Sequence, residues 1–312
     1  MEDQIRLNFN PQSLMVLNVI LGLVMFGVSL DLKVSDFRGV FEQPRAMAVG
    51  LLAQLVLLPA VTWVLVWLWR PSPSIALGMF LVAACPGGNV SNFLTHMAGG
   101  NTSLSVSMTA VVSLVAVILT PWNFAFWAGL LPETAKAMQE VHVDFWQMFQ
   151  SVLWLLLLPL VLGMLVAARA SHWAERIRKP FQVFSLVAFA GFVVLALANN
   201  WSHFLKSLEL IFVLVAIHNG LAFLTGYVSG WLGRLDVLDR RAVTIEVGIQ
   251  NSGLGLVLIF NFFDGKGGMA IIAAWWGVWH LIAGSSLALY WSQDKRRASG
   301  VADRSDGSDG RA

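Results

Sequence analysis

Apolar runs long enough to cross a lipid bilayer recur along almost the whole chain, and they leave very few architectures open. An α-helix needs about 20 such residues to span the hydrocarbon core. In lipid every backbone N–H and C=O must find its partner inside the spanning structure, so runs of this length are helical. Nine can be placed, at 14–30, 46–69, 74–97, 102–130, 145–168, 181–199, 208–232, 242–263 and 269–292. The composition agrees, with 57% hydrophobic and 12% charged residues against the roughly 25% charged residues of soluble domains. The expected fold class is an all-α polytopic membrane protein with nine transmembrane helices. Only Gly99-Gly100-Asn101 separates the third run from the fourth, which predicts a tight helix hairpin, and Thr120-Pro121 inside the fourth predicts a kink or tilt.

The placement of charge orients these spans. With the N-terminus outside, 15 of the 20 Lys and Arg residues fall in inner loops and the tail, leaving Arg6, Arg70, Lys136, Lys206 and Lys266 outside. The positive-inside rule therefore predicts a cytoplasmic C-terminus, and a count of eight or ten spans would scramble the separation. Residues 1–13 are read as an extracytoplasmic N-terminus without the features of a cleaved signal, and the Gly-, Ser- and Asp-rich residues 293–312 as a disordered cytoplasmic tail. Short loops favour a bacterial inner membrane. The single cysteine, Cys85, excludes an internal disulfide. Nothing points to nucleic acid, and the oligomeric state is not encoded in these patterns.

Two of the spans are polar where they should be most apolar. The eighth contains Thr244-Ile245-Glu246-Val247-Gly248-Ile249-Gln250-Asn251-Ser252-Gly253, and the third contains Cys85-Pro86-Gly87-Gly88-Asn89-Val90-Ser91-Asn92. An acidic side chain at a bilayer centre costs roughly 2.5–3.5 kcal/mol even on an insertion scale, so Glu246 must face protein, water or a cation. The two polar breaks lie five places apart in the order of spans, so they run through the membrane in opposite senses. That is the pattern of an inverted repeat whose broken helices meet at the membrane midplane, here 14–131 (spans one to four) and 145–292 (spans five to nine). A channel or receptor has no need of two such breaks, whereas a secondary transporter does.

Around Glu246 the polar side chains are hydroxyls and carboxamides, which together with unwound carbonyls make an all-oxygen shell suited to a hard ion such as Na⁺. Ser91 and Asn92 lie in the first break. Ser105 and Thr109 are four apart, so their hydroxyls share one face of the fourth span. Gln54 lies mid-span in the second helix, five residues before Pro59. His218, in His218-Asn219-Gly220, and His280 are intramembrane histidines and therefore candidates for function. His96 near a span end and the small apolar Cys85 read more simply as structural. No nucleophile–base pairing or metal-ligand cluster suggests an enzyme.

Together these motifs resemble the bile acid:sodium symporter family. The likeness rests on Pro86–Asn92, Gly100–Thr109, Thr244–Gly253 and Val278-Trp279-His280, with Phe26–Leu30, Gln54, Pro59 and His218-Asn219-Gly220 in the same order. The resemblance implies one Na⁺ site from Ser91, Asn92, Ser105, Thr109 and Glu246, and a second from Gln54, Glu246, Val247, Ile249 and Gln250. It further implies substrate contacts at Asn251 and His280. It implies a core domain (spans two to four and seven to nine) beside a panel of spans one, five and six, four spans forming the first repeat where ten-span relatives have five. The function implied is sodium-coupled symport of an organic anion, bile-acid-like, steroid or small carboxylate, by alternating access. Bacterial bile-acid carriers of the family have Asn after this histidine where this chain has Leu281, which weakens the case for bile acid itself. Competing readings are an arsenite-type metalloid exporter of related fold, which would use Cys85, and a channel or lipid-sensing receptor.

Overall fold

The computed structural model describes the backbone of residues 11–88, 90–140, 145–198 and 201–306, and among these it is helical with no strand. In chain order the helices longer than one turn are α1 (Pro11–Ser29), α2 (Pro44–Trp69), α3 (Pro73–Ala84), α4 (Val90–Met97), α5 (Thr102–Gly129), α6 (Pro132–Glu140), α7 (145–169), α8 (Ser171–Ala198), α9 (Trp201–Leu232), α10 (Val237–Gly248), α11 (Ser252–Phe262) and α12 (Gly267–Asp306), with short helical turns at Val34–Arg38 and Gly39–Glu42 between α1 and α2. Among the described residues five stretches are long and apolar enough to cross a membrane: Pro44–Trp69, Thr102–Gly129, Trp146–Arg169, Ile211–Leu232 and Gly267–Gln293. Shorter apolar helices cover Asn18–Gly27, Pro73–Ala84 and Ser252–Phe262. The third and eighth apolar runs are each interrupted, α3 giving way to α4 and α10 to α11.

Proline is accommodated inside α2 and α7 in the same way. Each carries a π-helical turn, Ala53–Leu57 and Leu153–Leu157, immediately before Pro59 or Pro159. A proline has no N–H for the carbonyl four residues earlier and its ring crowds that carbonyl, so a local widening relieves both problems. In α2 the released carbonyl finds a replacement donor: buried Asn123 of α5 gives its Nδ2–H to Leu55 O at 3.0 Å. α5 itself continues as one helix through Pro121.

Helix packing is tightest where side chains are smallest. Gly226 and Gly230 lie four apart on α9 and face α10; a Cβ on Gly226 would fall 2.7 Å from Thr244 Cα, and one on Gly230 2.9 Å from Arg240 Cγ. This small-residue seam lets the backbones approach as they do in membrane helix pairs. The hairpin at Gly99–Asn101 also forms, with Gly99 at φ 65°, and Asn101 then caps α5 by accepting from Leu104 N at 3.1 Å.

Three segments differ from the sequence reading. Residues 131–144 were expected to be a polar turn, but Pro132–Glu140 is helical, with proline at its start and Glu133 in its first turn, both of which favour a helix N-terminus. The inner loop before residue 181 is absorbed into α8, which begins at Ser171; Arg178 on that extension pairs with Asp31 at 2.7 Å and donates to Leu30 O at 3.2 Å. The last helix runs on to Asp306, so the loss of structure expected after residue 293 is not seen before that point. Gln293-Asp294-Lys295-Arg296-Arg297-Ala298 contains good helix formers and no proline to stop propagation. Residues 1–10 and 307–312, at the two ends of those expectations, lie outside the described residues.

Asn123→Ala is expected to lower stability by about 1–2 kcal/mol by leaving Leu55 O without its donor, read as an earlier thermal unfolding midpoint in detergent.

Candidate functional site at the crossing of two broken helices

The two interruptions meet. Beyond Ala84 the chain is extended through Cys85 (φ −69°, ψ 154°), and beyond Gly248 it is extended through Ile249 (φ −111°, ψ 108°). Gly87 and Gln250 form an antiparallel bridge. Gly88 N donates to Ile249 O at 3.0 Å and Asn251 N to Pro86 O at 2.8 Å. The backbone groups released by each broken helix are thus satisfied by the other break, as irregular backbone inside a membrane protein requires. Two further groups finish the ends: Asn251 Oδ1 caps α11 by accepting from Leu254 N at 3.0 Å, and Asn219 Nδ2 donates to Gly248 O at 2.8 Å.

Fully buried Glu246 points from the last turn of α10 into a set of oxygens on α4 and α5. Ser91 Oγ and Ser105 Oγ donate to its Oε2 at 2.5 and 3.1 Å, and Thr109 Oγ1 to its Oε1 at 2.7 Å. Asn92 Oδ1 lies 2.8 Å from Ser105 Oγ and 3.2 Å from Thr109 Oγ1. Each hydroxyl has one proton, so these oxygens offer more lone pairs than the hydroxyls can occupy. Among the described residues no cationic side chain pairs with Glu246, and no three His, Cys, Asp or Glu side chains gather anywhere. Gly87 makes room for the carboxylate, since a Cβ there would sit 2.6 Å from Glu246 Oε1.

A second polar group lies on the other side of the crossing. Gln54 Nε2 donates to Gln250 Oε1 at 2.9 Å and approaches Cys85 O at 3.5 Å, while Gln250 Nε2 donates to Val247 O at 2.8 Å. Gln54 Oε1 is buried without a partner. Gln54, Gln250 and Val247 are therefore brought together. The Glu246 carboxylate is turned toward the first set, and Ile249 O accepts from Gly88.

Beside the crossing is a largely apolar cavity of about 580 Å³, lined by residues of α1 and by Gly87, Gly88, Asn251, Ser252, Ser113, His280 and Leu281. Ser252 Oγ and His280 Nδ1 are buried in its wall without partners. Its one charged lining residue is Asp31, which is paired with Arg178. His218 is elsewhere, 2.7 Å from Thr62 Oγ1 and edge-on to Trp276 at 4.6 Å. His96 is exposed, 3.5 Å from Thr102 Oγ1, and Cys85 is buried outside the cavity lining.

Residues 18–207 match the sodium bile acid symporter family. The protein named uncharacterized sodium-dependent transporter YocS, of Bacillus subtilis, is 33% identical over 284 residues, covering 90% of this chain and 84% of that one. The chain belongs to the sodium bile acid symporter family. This family member is also 34% identical over 275 residues to the protein named probable sodium/metabolite cotransporter BASS1, chloroplastic, of Arabidopsis thaliana, with 87% of this chain and 65% of that one covered. The P3 protein of Homo sapiens is 28% identical over 235 residues, 75% of this chain and 48% of that one. The chain thus spans just under two thirds of the plant relative and about half of the human one. The relatives named for an activity are sodium-dependent transporters, and this family member, with several helices long and apolar enough to cross a membrane, is a transporter rather than an enzyme.

Sequence reasoning did not single out Ser252, Asn219 or Gly87 for the parts they play in this geometry. Ser252 follows the capping Asn251, so its place in the cavity wall was readable from the break itself. The Asn219–Gly248 contact spans two helices and had no local signal.

Gly87→Ala is expected to destabilise this protein by about 1–3 kcal/mol through overpacking against Glu246, read by thermal unfolding; an unchanged midpoint would show that the carboxylate does not depend on that space.

Proposed function

We propose that the protein couples inward Na⁺ flow to uptake of an organic anion by alternating access. The observation that carries this reading is Glu246, fully buried, bonded to three hydroxyls and, among the described residues, without a cationic side chain against it. Leaving one ion of a pair buried alone is strongly unfavourable, so a cation belongs in that oxygen set. The first Na⁺ site is assigned to Ser91, Asn92, Ser105, Thr109 and Glu246. The second is assigned to Gln54, Gln250 and the carbonyls of Val247 and Ile249, with Glu246 shared; the partnerless Gln54 Oε1 supports it. Charge, oxygen donors and the sodium-dependent relatives all favour Na⁺ as the coupling ion.

The substrate is assigned to the 580 Å³ cavity, with Asn251 and His280 as contacts. Among the described residues no Lys or Arg lines that cavity, so an anion's charge is offset by the two Na⁺ ions and by the N-terminal ends of α4 and α11. The apolar walls suit a substrate with a hydrocarbon body. Ions at the crossing pull α4, α5, α10 and the Gln54 segment together, which organises the cavity wall before the anion binds. Metalloid export is disfavoured because Cys85 lies outside the cavity lining.

The architecture proposed is nine spans in a bacterial inner membrane, N-terminus outside and C-terminus cytoplasmic. Residues 14–131 and 145–292 form the inverted repeats, with spans one, five and six as the panel. The opposed directions of the α3–α4 and α10–α11 breaks at their antiparallel bridge support the inversion.

Glu246→Gln is expected to abolish Na⁺-dependent uptake while the protein still folds, because the carboxamide keeps the shape but not the charge; uptake at the wild-type rate and sodium dependence would defeat the site assignment. A thermal-shift screen of organic anions with and without Na⁺ is expected to find stabilisation that needs both together. Anions that stabilise equally without Na⁺ would argue against coupling.

A further inference from the structure

We infer that Asn18 and Asn261 form the extracytoplasmic gate of this transporter, a carboxamide pair that closes the outer side while the cavity faces the cytoplasm. The inference rests on the alternating-access reading and topology proposed above. Asn18 Nδ2 donates to Asn261 Oδ1 at 3.1 Å, and Asn261 Nδ2 donates back to Asn18 Oδ1 at 2.8 Å. The other Nδ2 hydrogen of Asn261 goes to Val257 O at 2.8 Å, which sets the direction of the side chain. The pair joins α1 to α11, one helix of the panel and one of the core, which are the two bodies that must separate for the outer side to open.

Its level in the molecule is defined by a second contact between the same helices, Asn251 Nδ2 to Met25 Sδ at 3.7 Å. Asn18 precedes Met25 by seven residues and Asn261 follows Asn251 by ten, placing the pair about 10–15 Å outward of the crossing. The cavity occupies the opposite side. Along α1 and just past its end, its lining begins at Leu21, one turn inward of Asn18, and ends at Asp31, which is paired with Arg178 of the basic inner segment. Phe93 at its edge is 65% exposed. The lining thus extends from the level of Leu21 toward Asp31, and at the level of the pair α1 lies on α11.

Carboxamides suit a contact that must break in every cycle. On separation, water replaces the two hydrogen bonds, and Asn261 retains Val257 O. An apolar pair in the same place would resist wetting, and a desolvated ion pair would be harder to part. The plainer alternative is an Asn–Asn contact that only fastens two helices moving as one unit, and the two roles predict different accessibilities.

The test uses Leu21→Cys as reporter, with Cys85→Ala removing the single native cysteine, in intact cells treated with a membrane-impermeant maleimide. Adding Asn18→Ala or Asn261→Ala is expected to raise the labelling rate about threefold, a size typical of one interhelical hydrogen-bond contact in a membrane. The double variant is expected to rise no further than the larger single, because both remove the same contact. Labelling that is unchanged, or effects that multiply in the double variant, would overturn the gate. As a second readout, Asn18→Cys with Asn261→Cys, joined by a short reducible bis-thiol reagent, is expected to stop uptake until the linker is reduced; undiminished uptake would likewise overturn it. Replacing Na⁺ by choline in the reporter protein separates the two readings. Labelling indifferent to Na⁺ counts against the coupled carrier, whereas a sodium response that the Asn substitutions leave unaltered counts against the gate alone.

Discussion

The Glu246 carboxylate is buried among three hydroxyls, and among the described residues no lysine, arginine or histidine pairs with it, so an ionised Glu246 has hydrogen bonds but no counter-charge. Desolvating an ion costs several kcal/mol even in a relaxed protein interior, and an uncompensated one is a strong destabilising element. The surrounding structure is arranged about that constraint. α10 ends two residues beyond Glu246, Gly87 supplies the space its Oε1 occupies, and α4 and α5 present hydroxyls on the faces that meet it. In the proposed mechanism the same imbalance makes the site select a cation and makes the crossing's geometry depend on its presence.

A second constraint is the accounting of backbone hydrogen bonds where no bulk water can help. Two helices broken in the interior release donors and acceptors, and the crossing pairs them with one another through Gly88–Ile249 and Pro86–Asn251. Asn219 takes the end of α10, and Asn123 takes the carbonyl that Pro59 releases in α2. Each is a carboxamide on one helix serving an irregularity on another. The polar residues of this interior therefore divide into those that repair backbone and those that gather around Glu246 or line the cavity. Asn219 and Asn123 belong to the first class, Ser91, Asn92, Ser105 and Thr109 to the second. Asn251 serves both, capping α11 with its oxygen and turning its Nδ2 toward Met25 at the cavity wall.

The cavity's chemistry is as one-sided as its shape. Its polar groups concentrate at the crossing, where Ser252 Oγ and His280 Nδ1 lie without partners, and its remaining walls are mainly apolar. A ligand with one polar end and a hydrocarbon body matches that gradient. In the proposed mechanism the charges that balance the anion are ions rather than arginines, so affinity for substrate and affinity for cation become linked, which is what coupling requires in free-energy form.

Local chemistry along the chain was enough to determine the class of the molecule: the length of the apolar runs demands helices, and the Gly-, Pro- and Asn-containing interruptions in the third and eighth runs mark where helices stop. The residue types around Glu246 announced an oxygen-rich site for the same reason, since hydroxyls and carboxamides inside a membrane span are costly unless used. Helix formation at Pro132–Glu140, the start of α8 at Ser171 and the run of α12 to Asp306 were not legible from hydropathy, because amphipathic and charged helices carry no apolar run to mark them. Nor does any local pattern tell which carboxamide meets which. Asn18 and Asn261, Gln54 and Gln250, and Asn219 and Gly248 are joined across 243, 196 and 29 positions of sequence. Hydrogen bonds of that kind depend on how helices are placed side by side: the family resemblance groups Glu246 with both sets of residues, and only the tertiary structure decided that its carboxylate turns to Ser91, Ser105 and Thr109 while Gln54 faces Gln250, because the last turn of α10 directs it at α4 and α5.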